Sequence, residues 1–295
     1  MLSYLGVCNL TAIHLPTSHY QIMSMTVTLE QYRVNPKKFS LKQFKPDDRS
    51  ARTGDKASDA SLLAELTHQI NLRQDILHAE AKHKVLLILQ GMDTSGKDGT
   101  VKHVFSACDP LGIRLASFKA PSADELAHDY LWRVHHQVPT KGELTIFNRS
   151  HYEDVLIVKV HDWIDDAECK RRYQQINDFE RMLSETGTTI IKCFLHISKD
   201  EQKERLQERL DDPTKHWKFN PKDLDERALW DRYMDAYELA LKETSTKYAP
   251  WYVIPADSKT NRNLLVSQIL LESLNQLPLA YPAKPNEWDQ LTIKD

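Results

Sequence analysis

Short apolar runs recur near residues 85, 113, 144, 190 and 251, and each is followed by a stretch with helical spacing. Residues 85–89 are continuously apolar, as expected of a strand buried on both faces. Residues 113–118 alternate, residues 144–147 form a third strand, residues 188–197 a fourth, and residues 251–254 a fifth. Between them the period changes. Leu62, Leu63, Leu66, Ile70, Leu72, Ile76 and Leu77 place a helix over 59–82, with Asp59 or Ser61 as its N-cap. Val101, Val104 and Phe105 give a helix after the first strand, and Ser122 with Glu125 reads as a capping box opening a helix through His136. Further helices are predicted over 166–186, 199–211, 222–245 and 260–277.

Strands that alternate with helices specify a parallel sheet with helices on both faces, here an α/β three-layer αβα sandwich with five strands. One interruption stands out. Between Pro213 and Pro221 lie Lys215, His216, Trp217 and Lys218, a basic and aromatic segment between two helices that reads as a lid over residues 205–228. The expected organisation is an arm over residues 1–37, disordered in part or packed on a partner, one domain over 38–278, and a tail over 279–295. Residues 1–25 contain no Lys, Arg, Asp or Glu, and Met23 or Met25 reads as the natural start unless the segment packs on a neighbouring subunit. Residues 26–58 are basic and turn-rich, either a solvated arm or one lying over the sheet edge near a polyanion path.

Composition narrows the function without naming it. The 295 residues have a net charge of −3 and 27% charged residues, so bulk charge points to neither nucleic acid nor membrane. Four scattered cysteines form no CxxC pair, and no apolar run reaches transmembrane length; a reduced, cytoplasmic protein is the expectation.

The chemistry concentrates after the first strand. Gly91, Thr94, Ser95, Gly96, Lys97, Asp98 and Gly99 form Gly-x4-Gly-Lys, the pattern of a phosphate-binding P-loop. Glycines let the backbone wrap an anion, amides point inward, and the following helix adds its positive end. Lys97 brings a compact charge to the phosphates. A P-loop usually has Ser or Thr after its lysine; here Asp98 stands there, and Asp93 lies inside the loop. Acids in a phosphate cradle make sense when they hold a metal ion or position an attacking group. At the end of the third strand come Asn148, Arg149, Glu153 and Asp154, where an open α/β sheet binds ligands. Arg133, Arg205, Arg209, Lys215 and Lys218 add charge on the helices and the lid. Together these are the parts of a phosphoryl-transfer site, where catalysis is mostly positioning and charge neutralisation.

Six stretches resemble the polyphosphate kinase 2 family: 91–99, 118–122, 128–133, 147–154, 212–218 and 249–251, within a similarity spanning about residues 38–278. The resemblance accounts for Asp98, because that family uses Gly-Lys-Asp-Gly in its loop. It implies a P-loop kinase-like fold and reversible transfer of a terminal phosphoryl from inorganic polyphosphate to AMP or ADP, or to GMP or GDP. It also implies Mg²⁺ (or Mn²⁺) held by Asp93 and a strand-end acid, and assembly as a dimer or tetramer. Many relatives have Asp where this chain has Asn148, and the Asn form resembles the subgroup accepting both nucleoside mono- and diphosphates. The second metal role then falls to Glu153 or Asp154, or Asp93 serves alone. On this reading Asp93, Lys97, Arg149 and Arg133 are catalytic. Polyphosphate runs past Lys97, Arg205, Arg209, Lys215 and Lys218, and the nucleotide lies by Lys119, Arg133, Asn148 and Arg149. An ATP-dependent nucleoside monophosphate kinase, or a P-loop nucleotide switch, shares the loop and lid.

Overall fold

The computed structural model describes residues 28–293. The expectations for residues 1–25 lie outside these described residues. The sheet is fully parallel, in the order β2-β3-β1-β4-β5, with β1 Lys84–Gln90, β2 Ile113–Ser117, β3 Leu144–Asn148, β4 Thr188–His196 and β5 Trp251–Pro255. The central strand β1 has Val85 to Leu89 completely buried, which is why its sequence is a continuous apolar run. Burial of side chains this size stabilises by about 1.5–3 kcal/mol each.

Ten α-helices complete the layers among the described residues: α1 Lys56–Glu80, α2 Lys97–Val104, α3 Ala123–Leu126, α4 Trp132–His135, α5 Ile157–Val160, α6 Asp166–Glu185, α7 Lys199–Asp211, α8 Lys222–Ala228, α9 Trp230–Thr244 and α10 Lys259–Asn275. The chain leaves β1 for β2 and β3 on one side, then crosses to β4 and β5 on the other. The loops after β1 and β3 therefore meet at a topological switch point, at the carboxyl ends of the strands.

Four expectations change in detail. Helix α1 starts earlier and is capped by Asp55, whose carboxylate accepts from the Ala57 and Ser58 amides. Asp59 is instead buried and binds Arg52 at 2.7 Å and the Thr53 amide at 2.7 Å, tying the arm down. The capping box of Ser122 and Glu125 forms, but the helix it opens lasts one turn and breaks before α4. The helix predicted over 222–245 divides at Leu229 into α8 and α9. The arm joins the core before residue 38: Tyr32 and Val34 are buried, the Val34 amide donates to Trp251 O at 2.9 Å, and Arg33 bridges Tyr252 at the β5 edge. The lid segment is a 3-10 helix, Pro213–Lys218, capped by Asp212 and followed by α8.

Below the carboxyl ends of the strands lies a fully buried polar cluster. Lys192 of β4 donates to Glu180 Oε2 of α6 at 2.6 Å, to the Tyr152 hydroxyl at 2.8 Å and to Thr244 O at 2.8 Å. Tyr152 donates in turn to Glu180 Oε1 at 2.8 Å, and His151 lies 3.3 Å from the same oxygen. The cluster fixes the segment that follows Arg149.

Candidate active site

The loop after β1 is built on backbone that ordinary side chains resist. Gly91 and Gly96 have φ of +152° and +100°, and a Cβ on Gly91 would lie 2.7 Å from Leu195 O. Thr94 also has positive φ, +64°, and so does Arg149, +60°. Non-glycine residues in this region are uncommon and gather at functional sites. The Thr94 and Ser95 hydroxyls are buried, with no hydrogen-bond partner among the described residues. Unpartnered buried hydroxyls are uncommon and mark this loop as a place where a bound group could complete the hydrogen bonding.

Lys97 opens α2 and is buried. Its Nζ donates to Gly91 O at 2.7 Å and Met92 O at 3.2 Å, folded over the loop it belongs to. Burial, followed by the charge of Arg149, pushes its pKa down to about 8, against the opposing pull of Asp93, Glu153 and Asp98. Those charges place Lys97, Arg149 and three carboxylates in one electrostatic unit.

Arg149 is the centre of that unit. Its guanidinium donates to Asp93 Oδ1 at 2.7 Å and lies 3.9 Å from Glu153 Oε2. Burial opposes its charge, but Glu153 and Asp93 more than offset this and hold it firmly protonated. Glu153 also accepts from Gln90 at the end of β1, at 3.0 Å. Asn148 and Asp98 form a pair: Asn148 Nδ2 donates to Asp98 Oδ1 at 2.7 Å. A carboxylate at position 148 would face the Asp98 carboxylate, so the amide removes a like-charge contact.

Arg133 and Asp154 form a second group, joined to the first through the 148–154 segment. Arg133 is buried beside the Phe118 ring; it donates to Lys119 O at 2.8 Å and lies 3.9 Å from Asp154. Burial raises Asp154 to about 6 against the charges of Arg133 and Arg172. Glu153 thus lies with Asp93, whereas Asp154 lies with Arg133. The Lys119 side chain is exposed.

The lid residues divide. Arg209 donates to Lys218 O at 3.0 Å and to Asp223 at 3.3 Å, bracing the lid against α8. Burial and the charge of Asp93 raise Asp223 to about 6, which places this lid carboxylate near the Arg149 group. Lys215 pairs with Asp212 at 2.9 Å, and Lys218 lies over the exposed Trp217 ring at 4.9 Å. The expectation that Arg205 lines the polyphosphate path does not fit its geometry. Arg205 is buried, and its guanidinium donates to Glu201, Thr94 O, Ser95 O, Ala256 O and Asp257 O, which occupies its five N–H groups. It braces the P-loop from behind.

Three further residues contact the site with no signal in the sequence. Gln202 donates to Asp93 O at 3.2 Å and accepts from Arg227 of α8 at 2.9 Å, linking loop to lid. Tyr237 of α9 is buried, and its hydroxyl feels the charges of Glu153, Arg149 and Asp93. Arg262 of α10 donates to Ser95 O at 3.2 Å. Their positions in the chain, far from the loop, gave no motif to read.

The described residues contain no group of three His, Cys, Asp or Glu placed to hold a metal on their own. No helix among them is long and apolar enough to cross a membrane.

Residues 53–280 match the family described as Polyphosphate kinase 2. An AMP/ADP-polyphosphate phosphotransferase of Meiothermus ruber is 55% identical over 267 residues, covering 90% of this chain and 100% of that protein. An ADP-polyphosphate phosphotransferase of Rhodopseudomonas palustris is 46% identical, covering 75% of this chain and 81% of that protein. Among solved structures, the crystal structure of Polyphosphate Kinase 2 from Arthrobacter aurescens superposes with a TM-score of 0.84 at 50% identity, covering 86% of this chain and 91% of that one.

Proposed function

The chain belongs to the polyphosphate kinase 2 family, and from that premise we propose that it transfers the terminal phosphoryl of inorganic polyphosphate to AMP and ADP, giving ADP and ATP. The observation that supports this most is the single electrostatic unit formed by Lys97, Arg149, Asp93 and Glu153 around a loop with unpartnered buried hydroxyls. In the transfer, an oxygen of the nucleotide's terminal phosphate attacks the end phosphorus of the polymer. The bridging P–O bond breaks, and the shortened polymer leaves with its electron pair. The chain's own part is to align the two polyanions and offset their repulsion.

Asp93 and Glu153 suit a hard cation. Mg²⁺ commonly takes one or two carboxylates and completes its shell with phosphate oxygens and water, so a pair of acids beside a phosphate cradle fits it. Such an ion would neutralise charge on the phosphates. Asp93 is the first-ranked ligand and Glu153 the second, because Asp154 faces Arg133. Arg149 would then exchange a carboxylate for a phosphate. Assembly as a homo-oligomer in the cytoplasm, acting in either direction, completes the proposal; sedimentation tests the assembly.

The deciding assay omits ATP. Incubated with ADP, polyphosphate and Mg²⁺, the protein is expected to make ATP, and with AMP in place of ADP it is expected to make ADP. No product in either reaction, with activity only when ATP is the donor to AMP, would make it a nucleoside monophosphate kinase instead.

The acidity of Lys97 gives a pH prediction. With its pKa near 8 in the unliganded protein, Lys97 loses its charge as pH rises through that value. The kcat/KM for polyphosphate is expected to fall above pH 8, approaching tenfold per pH unit. A limb near the ordinary lysine value of about 10.4 would contradict this.

A further inference from the structure

Two guanidinium groups lie against the P-loop, from α7 and α10. Arg205 has a carboxylate beside it, Glu201 at 2.8 Å. Arg262 differs: among the described residues its hydrogen-bond partners are an amide oxygen and a backbone carbonyl, and none is an acid. Its Nε and Nη2 donate to Asn263 Oδ1 at 3.2 and 3.0 Å, and its Nη1 donates to Ser95 O at 3.2 Å. It is 2% exposed. Burial, with the nearby charge of Arg205, pushes its pKa down to about 9. A buried cation without a counter-ion is costly, and folds keep few of them without a use.

Its contacts with the loop suggest the use. A Cβ built on Gly96 would lie 1.8 Å from Arg262 Nη1, and one on Gly99 would lie 3.2 Å from Nη2. The guanidinium therefore occupies the space where a side chain at position 96 would stand. In a trans peptide the carbonyl and the following amide point in opposite directions. Drawing Ser95 O towards Arg262 thus turns the Gly96 N–H to the opposite side of the loop. The same argument does not extend to Thr94 O, held by Arg205, because the Ser95 amide already donates to Met92 O at 3.1 Å.

We propose that Arg262 is a positioning residue of the phosphate cradle: with its Nε and Nη2 anchored on Asn263, its Nη1 holds Ser95 O at 3.2 Å, closer than Arg205 Nη1 at 3.4 Å, so that the Gly96 amide faces the donor phosphate, and the bound polyanion supplies its missing counter-charge. This assignment rests on the reading that polyphosphate occupies the Gly91–Gly99 loop. Arg262 touches no reacting atom. It acts through the loop backbone, and its loss should weaken donor binding while leaving the nucleotide's own contacts in place.

The test uses the full chain with Arg262→Met and Arg262→Lys, assayed with ADP and sodium polyphosphate, and by thermal melting with and without the polymer. Arg262→Met is expected to raise the KM for polyphosphate about tenfold or more, to change the KM for ADP by less than about threefold, and to shrink the polymer-induced rise in Tm. Arg262→Lys keeps a charge but not the fork, and should raise the polyphosphate KM by a smaller factor, about threefold or more. A merely structural arginine would lower the Tm and leave both KM values and the polymer-induced rise unchanged. That result in a folded Arg262→Met overturns the assignment. If Arg262→Met does not fold, wild-type KM values in Arg262→Lys overturn it. Lys97→Met is run in parallel. If Lys97→Met keeps the full polymer-induced rise in Tm, the cradle reading fails and this assignment with it. If Lys97→Met loses the rise while both Arg262 variants keep it, only the role of Arg262 fails.

Discussion

Asp93→Asn is expected to lower kcat about a thousandfold or more while leaving the fold intact. The side chain is partly exposed and pairs with Arg149 at 2.7 Å. Asparagine has the same shape and keeps an oxygen acceptor for that guanidinium, so the change in stability should stay within about 1 kcal/mol. The backbone contact survives too, because Gln202 donates to the carbonyl of residue 93, not to its side chain. What disappears is the charge. An amide is a poor ligand for a hard cation between two polyanions, and Arg149 is left with Glu153 alone at 3.9 Å. Initial rates at saturating ADP, polyphosphate and Mg²⁺, together with a melting curve, check both halves. More than about a tenth of wild-type kcat in a folded protein would remove Asp93 from the chemistry.

The second large effect lies away from the loop and concerns stability. Lys192→Met should destabilise the protein by about 3–5 kcal/mol, because it leaves the Glu180 carboxylate buried without its cation. Lys192 and Glu180 are both completely buried and share Tyr152 as a partner, while His151 lies against Glu180 and Thr244 O accepts from Lys192. For a chain of this size that corresponds to a fall in Tm of roughly 10 °C. The double variant Lys192→Met with Glu180→Leu should recover much of the loss, since it removes both charges and keeps the volume. A double variant no more stable than Lys192→Met alone would show that packing, not the uncompensated charge, sets the cost. The cluster also steadies the 150–152 segment between Arg149 and Glu153. Partly stabilised variants should therefore show a lower kcat even below their melting temperature.

The two effects separate the demands on this segment. Arg149 and Glu153 face the loop, while His151 and Tyr152, between them in sequence, point into the core. Alternation of this kind leaves a clear mark in a strand. Here the segment is a 3-10 helix, His151–Val155, entered through a left-handed Arg149, and no period identifies which side chains go in.

Legibility followed the range of the interactions. The five strands, the glycine loop and the Ser122–Glu125 capping box are fixed by neighbours within a few residues, and all were readable from the chain. The family, too, was readable, since its motifs are local words. The apolar spacing predicts one helix over 222–245 because nothing at Leu229 breaks a helix by itself, yet α8 ends there and α9 begins. The charge of the arm left two readings, solvated or lying over the sheet edge; Tyr32, Val34, Leu41 and Ala51 are buried and Arg33 bridges Tyr252 at the β5 edge, which hydrophobic residues spaced among lysines give no period to reveal.

What the sequence determined by itself is the parallel α/β architecture and the presence of a phosphate-binding loop with two acids in place of the usual pattern. Both follow from local backbone preferences and from the period of apolar residues. Only the tertiary structure decided what each charge does. It sent Arg205 behind the loop, paired Asn148 with Asp98, put Glu153 and not Asp154 beside Asp93, and brought Arg262 of the last helix beneath Gly96. The physical reason is that an arginine on a helix reads the same whether it meets solvent, a phosphate or a carbonyl. Which of these it meets is set by burial and by neighbours far along the chain, such as the 167 residues separating Ser95 from Arg262.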